Sequence, residues 1–291
     1  MFSGFFGQQR LHKYIFGLYC IFDLKKKVNI MDFLSFRKTA LCLAALILFL
    51  LCGCGGKSRI IAVSGNADLG EPSAGDLLIT REGYTLGYSN KKRQALWVSY
   101  ILSKEALEAP QVKRSNDFRR DPAVKYDPVD PGEYTRSGFD RGHLAPAADM
   151  AYSRKVMSES FFMSNMSPQT AGCNRRSWLA VETQVRIWAK REGKVYIITG
   201  PVFTPYRGKV SPGFRVAVPG AFFKAVLDLT PPYKMIAFIV PNESVKFHSA
   251  KVFAVSVDEV EKLTGYDLFD RLNDELEDHL EAQNDFEQWG K

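Results

Sequence analysis

Two short stretches of the sequence combine residue types that phosphate-ester hydrolysis requires. Residues 137–150 read SGFDRGHLAPAADM, with His143 at the centre, and Asn174, Glu182 and Arg186 follow further along the chain. Cleavage of a phosphodiester needs a deprotonated nucleophile, neutralisation of charge around phosphorus and help for the leaving oxygen. A histidine with an ordinary pKa of about 6.5 is mostly neutral near pH 7, so His143 is a candidate general base.

The spacing downstream of Asn174 predicts a helix with polar groups along one flank. Trp178, Glu182 and Arg186 follow Asn174 in steps of four residues, and each step advances about 40° around a helix. An amide oxygen and a carboxylate on such a stripe suit a hydrated Mg²⁺, which keeps most of its waters. The simpler interpretation is an amphipathic helix that carries a Glu182–Arg186 salt bridge.

His143 also has a simpler interpretation when its stretch is considered alone. A histidine beside glycine and leucine is more often a hydrogen-bonded structural residue than a catalyst. Gly142, which precedes it, allows another chain segment or a substrate to approach the backbone closely. A functional hypothesis for His143 therefore depends on the second stretch.

Together the two stretches resemble the sugar-nonspecific ββα-metal endonucleases, most closely the endonuclease G branch. The match is residue for residue through the DRGH segment, Asp140–His143, and it covers roughly residues 78–272. The downstream pattern matches at Asn165, Pro168, Gln169, Asn174, Trp178, Glu182 and Arg186. The resemblance implies an α+β fold, a single ββα-metal nuclease domain on a mixed, mainly antiparallel sheet with flanking helices.

The resemblance also implies a role for each matching position. His143 is expected to activate water as the general base, and Asn174 is expected to bind Mg²⁺, with Mn²⁺ or another divalent cation as substitutes. Glu182 is expected to hold waters around the ion. Arg114 and Arg186 are expected to neutralise the scissile phosphate.

Further positions in the resemblance have supporting roles. Asn165 is expected to position His143 or the substrate. Asp140 and Arg141 are expected to fix the loop that presents His143, with structural support also from Gly142 and Trp178. A homodimer is the assembly that the family suggests.

The charge distribution favours a polyanionic partner. Residues 54–257 carry 29 bases and 18 acids, a net charge of +11, whereas residues 258–291 carry twelve acids and three bases, a net charge of −9. The basic residues Lys113, Arg119 and Arg120 are candidates for binding the backbone phosphates of DNA and RNA without reading bases. An ordinary solvated surface is the alternative.

Residues 31–54 have the pattern of an export signal. Two basic residues precede the apolar run 40–51, which is too short and too soon followed by glycine to favour a membrane span. The segment LCGC resembles a bacterial lipobox, which makes Cys54 the expected lipidation site and the membrane the expected anchor of an exported lipoprotein. A plain cleaved signal or a single N-terminal anchor are the alternatives.

The sequence predicts five segments and several regular elements. The segments are an over-extended start (1–30), a signal peptide (31–53), a Gly/Ser-rich tether (54–75), the nuclease domain (76–272) and an acidic C-terminal helix or tail (273–291). The expected elements are a hairpin (84–88 and 95–102), a long loop (112–134), strands (194–198, 222–229 and 235–240), a capped helix ending at Gly265, and an acidic helix (270–283).

The leading hypothesis is an endonuclease that cuts DNA and RNA with one Mg²⁺ and leaves 5′-phosphate ends. One alternative is a phosphodiesterase acting on another phosphate ester, which would need fewer basic residues around its substrate. A second alternative is a lipoprotein that captures nucleic acid without cleaving it. The presence of His143, Asn174 and Glu182 together argues against that second alternative.

Overall fold

An antiparallel sheet of seven strands forms the centre of the protein. The computed structural model describes residues 61, 63–203, 213–246 and 249–290, all within a unit that spans residues 60–291. The strands are β1 (Leu77–Thr80), β2 (Thr85–Ser89), β3 (Gln94–Ser103), β6 (Lys194–Val202), β7 (Ala221–Asp228), β8 (Met235–Pro241) and β9 (Ala254–Val255). Their order is β1-β2-β3-β6-β7-β8-β9, and each neighbouring pair is antiparallel.

The sheet is covered on both faces, which explains why its central strands are almost continuously apolar. Along β7, Phe222 and Val226 belong to one buried cluster, whereas Phe223 and Ala225 belong to another. Successive side chains of a strand point to opposite faces, so the two clusters are the two faces of the sheet. We call them the first face (with Phe222) and the second face (with Phe223).

Different helices cover the two faces. The helix α3 (Trp178–Glu192) lies on the first face through Val181, Val185 and Trp188. The helices α4 (Val257–Thr264) and α5 (Asp274–Glu281) lie on the second face. The remaining helices, α1 (Lys104–Glu108) and α2 (Arg154–Glu159), are each shorter than two turns.

A two-stranded ribbon leads into α3 and supplies the ββα unit of the fold. The strand β4 (Asp140–His143) pairs antiparallel with β5 (Met166–Gln169), so that His143 lies opposite Met166. The DRGH segment is thus a strand, and the expectation of a loop at this position is wrong. Four residues that include two charges and a glycine show no alternating pattern by which a strand could be recognised.

The predicted α+β fold on a mainly antiparallel sheet is confirmed. The predicted hairpin and the three later strands are present with shifts of their ends, and β1 and β9 are additions to the sheet. The capped helix is α4, in which Ser256 and Glu259 form the reciprocal capping box and Gly265 adopts a φ of 70°. The acidic helix is shorter than expected, because regular structure begins only at Asp274.

Both ends of the described chain pack more closely than the sequence suggests. In the segment assigned to the tether, Leu69 is buried, and the side-chain oxygen of Asn66 accepts a hydrogen bond from the backbone of Ile101. At the other end, the ring of Trp289 stacks on that of Trp188 with centroids 4.7 Å apart. The chain therefore passes from the second face at α5 to the first face at Trp289.

The segments that concern export lie outside the described residues, including Cys54 and the first part of the tether. Within the described part of the chain, none of the helices combines the length and apolar character needed to span a bilayer.

Candidate active site

His143 stands at the end of β4 in an aromatic pocket. Its ring meets those of Phe161 and Phe118 edge to face, at centroid distances of 4.8 and 5.8 Å. The side chain is buried, and its Nε2 has no hydrogen-bond partner among the described residues. Burial and then the positive charge of Arg114 lower the pKa of His143 to about 3. The imidazole is consequently neutral at pH 7 and can accept a proton.

Asn165 fixes the backbone that follows His143. Its Oδ1 accepts a hydrogen bond from the amide of Ala145 at 2.9 Å, and its Nδ2 donates to the carbonyl oxygens of Ala145 and Ser160 at 2.9 and 2.8 Å. Asn165 is fully buried. These contacts correspond to the expected positioning of His143, and they leave the amide no surface for touching a substrate.

Asp140 orients the amide of Asn174. The Nδ2 of Asn174 donates a hydrogen bond to Oδ2 of Asp140 at 2.9 Å, and Arg175 donates to both oxygens of the same carboxylate at 2.9 and 2.8 Å. Although burial opposes it, the hydrogen bonds from Arg175 and Asn174 hold the pKa of Asp140 below its ordinary value. Because the amide nitrogen faces Asp140, the Oδ1 of Asn174 is the atom left to bind a ligand.

A π-helical turn, Cys173–Ser177, carries Asn174 into α3. The expectation of an α-helix that begins at Asn174 is therefore wrong for its first turn, where the wider hydrogen-bonding pattern changes the angular spacing. Beyond Trp178 the helix is regular. Val181, Val185 and Trp188, which follow at helical spacing, are all buried. Sequence periodicity predicts the regular part, but no residue pattern marks the π turn.

Arg186 forms its salt bridge with Asp149, at 2.8 Å between Nη1 and Oδ1. The surface pair Glu182–Arg186 is therefore a wrong interpretation of the spacing. Asp149 is itself buried, and its Oδ2 accepts a hydrogen bond from the hydroxyl of Tyr100 at 2.9 Å. The guanidinium of Arg186 is thus held in place by a partner on the chain segment that follows the DRGH strand.

Glu182 shares a buried electrostatic environment with Lys224 of β7. Lys224 is fully buried, and its ammonium lies 5.1 Å from the ring centre of Trp178 and 3.4 Å from the hydroxyl of Tyr100. Burial raises the pKa of Glu182, and the charge of Lys224 opposes that rise. Burial likewise lowers the pKa of Lys224, opposed by the charge of Glu182. The two side chains therefore influence each other's protonation state.

The basic residues of the loop that precedes β4 differ in their exposure and in their contacts with the rest of the chain. Lys113 and Arg114 are exposed, and the Arg114 guanidinium lies 4.8 Å from the ring centre of Phe161, which also touches His143. Arg120 is exposed and forms a salt bridge with Asp130 at 2.9 Å.

Arg119, by contrast, is held by its own chain. Its Nη1 donates hydrogen bonds to Asp117 and to the carbonyl of Ser158, both at 2.8 Å, and the guanidinium lies 4.0 Å from the ring centre of Phe162. These contacts hold Arg119 against its own loop, and its expected contact with a nucleic-acid backbone stays a prediction.

The expected supporting residues have specific contacts. A Cβ at Gly142 would lie 2.2 Å from Cδ of Gln169, so the glycine is required by a side chain of the paired strand. The guanidinium of Arg141 lies 4.5 Å from the ring centre of Phe118. Trp178 is buried, and its ring centre is 5.6 Å from that of Phe222.

The site has the composition and the ββα framework of a known family. The family model for the DNA/RNA non-specific endonucleases matches residues 64–275. The chain belongs to this family. Its members are metal-dependent nucleases, so this nuclease acts on nucleic acid with a divalent cation.

Individual relatives agree with this membership. A nuclease C1 of Cunninghamella echinulata var. echinulata is 35% identical over 225 residues, which cover 70% of this chain and 87% of the relative. The mitochondrial endonuclease G of Homo sapiens is 33% identical over 201 residues, covering 65% and 68%. A crystal structure of an EndoG/EndoGI complex aligns with a TM-score of 0.66 at 30% identity, covering 72% of this chain and 91% of that chain.

The sequence-based prediction missed some residues at the site of this endonuclease. Asp149 lies within the 137–150 stretch, but a single acid in a motif does not reveal a buried partnership with Arg186. Lys224 gives a clearer signal, because it is the one charged residue in the apolar run 221–227, AFFKAVL. The aromatic pocket formed by Phe118 and Phe161 depends on tertiary packing and leaves no local pattern.

Proposed function

We propose that the protein hydrolyses phosphodiester bonds of DNA and RNA with His143 as the base, Asn174 as the protein ligand of Mg²⁺, and products with 5′-phosphate ends. The observation that carries the proposal is the buried Nε2 of His143, which has no partner among the described residues and belongs to a ring of lowered pKa. A buried polar atom normally has a hydrogen-bond partner, so an orphan of this kind suggests a ligand or a reacting group.

The residues around Asn174 fit a hard divalent cation. The available donors are the amide oxygen of Asn174 and the half-buried carboxylate of Glu182, and oxygen ligands are those that Mg²⁺ prefers. Asn174 would hold the ion and Glu182 would hold waters around it. A cation bound there supplies positive charge to the phosphate and to the leaving oxygen.

The chain's own residues can accept the proton of the attacking water and neutralise the charge of the phosphate. His143 accepts a proton from the attacking water at Nε2. Arg114 places positive charge beside His143, where it can meet a phosphate oxygen, and it disfavours the protonated ring, which promotes later release of the proton. Arg186, fixed by Asp149, adds a second guanidinium to the same neutralising role.

The test is to incubate the purified protein with plasmid DNA and with RNA, in Mg²⁺ or in EDTA. Cleavage of both polymers in Mg²⁺ alone is expected, and DNA ligase should reseal the cut DNA because its ends carry 5′-phosphate and 3′-hydroxyl groups. His143→Ala should abolish most of the cleavage, whereas His279→Ala, at an exposed position, should not. Retention of uncut DNA by the wild type would instead favour the capturing lipoprotein.

We also propose that the protein is exported and anchored through a lipid on Cys54. The support is the sequence alone, in the apolar run 40–51 followed by LCGC. A single acyl chain binds membranes only marginally, so stable anchoring requires the several chains that a bacterial lipoprotein carries.

A further inference from the structure

Three carboxylates converge where α4 meets α5 on the second face of the sheet. Asp258 and Glu261 stand one turn apart on α4, and Glu281 is the last residue of α5. Each offers one carboxylate oxygen, and these oxygens all lie within 4.8 Å of one another. Both helices also contact β8, so the sheet fixes their relative positions.

Glu281 has the burial of a ligand and lacks an ordinary partner. Its side chain is only 6% exposed, and its Oε1 is buried without a hydrogen bond among the described residues. Burial, followed by the negative charges of Glu261 and Glu277, raises its pKa to about 8. The charged groups that act most on Glu281 are thus all negative. A buried carboxylate in such surroundings is costly unless a cation or a proton neutralises it.

The arrangement suits calcium better than magnesium. Calcium binds six to eight oxygens at about 2.3–2.6 Å in flexible geometry, so two of its ligands can lie up to roughly 4.8 Å apart. Magnesium requires near-ideal octahedral geometry with ligands at about 2.0–2.1 Å, and it binds few protein carboxylates at once. Waters would complete the coordination on the side of Asp258, which is exposed.

We propose that Asp258, Glu261 and Glu281 bind one Ca²⁺ ion that joins α4 to α5. The site is separate from Asn174, which belongs to the first face of the sheet. It also reaches beyond the family match, which ends at residue 275. The ion's role is structural, because it neutralises the acids that crowd this end of the domain and secures the C-terminal helix.

The experiment measures the thermal midpoint, Tm, in EDTA and in about 10 mM CaCl₂, a concentration above the Kd of weak protein sites. The Asn174→Ala variant is used throughout, so that binding at the nuclease site is weakened, and the further Glu281→Gln change separates the contribution of the proposed site from what remains there. CaCl₂ is expected to raise Tm by at least about 3 °C. Adding Glu281→Gln should remove that rise, whereas Glu275→Gln, an exposed acid on the same helix, should preserve it.

Isothermal titration with CaCl₂ gives a second measurement that does not depend on unfolding. Asn174→Ala should bind one ion, and the double variant with Glu281→Gln should bind none. If the double variant does not fold, Asp258→Asn takes the place of Glu281→Gln, since the exposed side chain of Asp258 can change without disturbing the core. The proposal is overturned if Asn174→Ala shows neither heat of binding nor a Tm rise, or if the rise survives the loss of Glu281. Protonation of Glu281 would then account for its burial.

Discussion

The unpartnered Nε2 of His143 and the oriented amide of Asn174 suggest that the two residues have different roles. Single substitutions can distinguish these roles. His143→Ala should lower turnover by roughly 10²–10⁴ while metal and DNA binding survive, because only proton transfer is removed. Asn174→Ala should shift the Mg²⁺ requirement upward, with activity partly recovered at high Mg²⁺. Glu182→Ala should resemble a milder Asn174→Ala.

Cleavage rates measured over a series of Mg²⁺ concentrations distinguish these variants, and added imidazole provides the control. Imidazole should partly restore cutting by His143→Ala, since the small base can enter the pocket beside Phe161. A His143→Ala protein that no longer binds metal would make His143 a ligand and place the base elsewhere.

The burial of His143 has a consequence for stability as a function of pH. The folded protein keeps the ring neutral down to about pH 3, whereas the unfolded chain protonates it near its ordinary pKa of 6.5. Between these values the unfolded state binds more protons, so this residue's contribution to stability falls as pH falls, by at most about 1.4 kcal/mol per pH unit.

The free energy of unfolding by urea, measured from pH 7 to pH 4 in metal-free protein, checks this expectation. His143→Asn should flatten the slope, and His279→Asn, at an exposed position, should leave it unchanged. An NMR titration in which the His143 ring becomes protonated near pH 6.5 would contradict the expectation directly.

Individual site residues could be predicted from sequence only where a motif fixes their identity. The DRGH segment and the spacing from Asn174 to Arg186 identify the candidate base, ligand and carboxylate, because the resemblance carries residue types at fixed positions. Partnerships across the fold could not be predicted. Arg186 pairs with Asp149, 37 residues earlier in the chain, rather than with Glu182 one turn away.

At the level of elements, Gly142 is the position in the β4–β5 ribbon with the least room for a larger side chain. A methyl group there would meet the Gln169 side chain at 2.2 Å, in a site where both residues are buried. Gly142→Ala should therefore destabilise the protein by about 1–3 kcal/mol, as overpacking does. It should also reduce activity, because the ribbon ends at His143.

A double-mutant cycle in urea measures that contact. Gln169→Ala shortens the opposing side chain, so the pair Gly142→Ala with Gln169→Ala should lose less stability than the sum of the single changes. Additive losses would mean that the glycine is needed for another reason.

Periodicity and capping predict the elements that follow local rules. The sheet strands β6 to β8 and the helix α4 fall where apolar runs and the Ser256–Glu259 capping box place them. The ribbon follows no such rule, since its conformation depends on the pairing of β4 with β5, and no residue pattern marks the π turn. The packed segment around Asn66 was also missed, because a Gly/Ser-rich composition does not reveal hydrogen bonds to β3.

For the whole molecule, contact with phosphates predicts strong salt dependence and little preference for base sequence. If binding neutralises four phosphates, log K should fall with log salt at a slope of about −3.6 for duplex DNA. Binding of a catalytically inactive His143→Ala protein to several unrelated duplexes, between low and high salt, measures both properties. Tight binding to one sequence that persists at high salt would argue against phosphate contacts.

The proposed lipid anchor predicts where the protein is found in the cell. Cys54→Ser should release the protein from the membrane fraction or block its processing, because the acylated cysteine is the anchor. Cys52→Ser, which leaves Cys54 in place, serves as the control. Identical fractionation of Cys54→Ser and wild type would show that Cys54 does not hold the protein at the membrane.

The two-sided sheet has a further consequence for how the molecule meets a polyanion. Arg186 of the proposed site lies on α3, which covers the first face, whereas α4 and α5 place much of the −9 charge of residues 258–291 on the second. Separated charges of this kind form an electric dipole. The negative charge of a nearby nucleic acid exerts a torque on this dipole. The torque turns the proposed site toward the polymer and the acidic helices away from it. Orientation would thus begin within about a Debye length, before any contact forms.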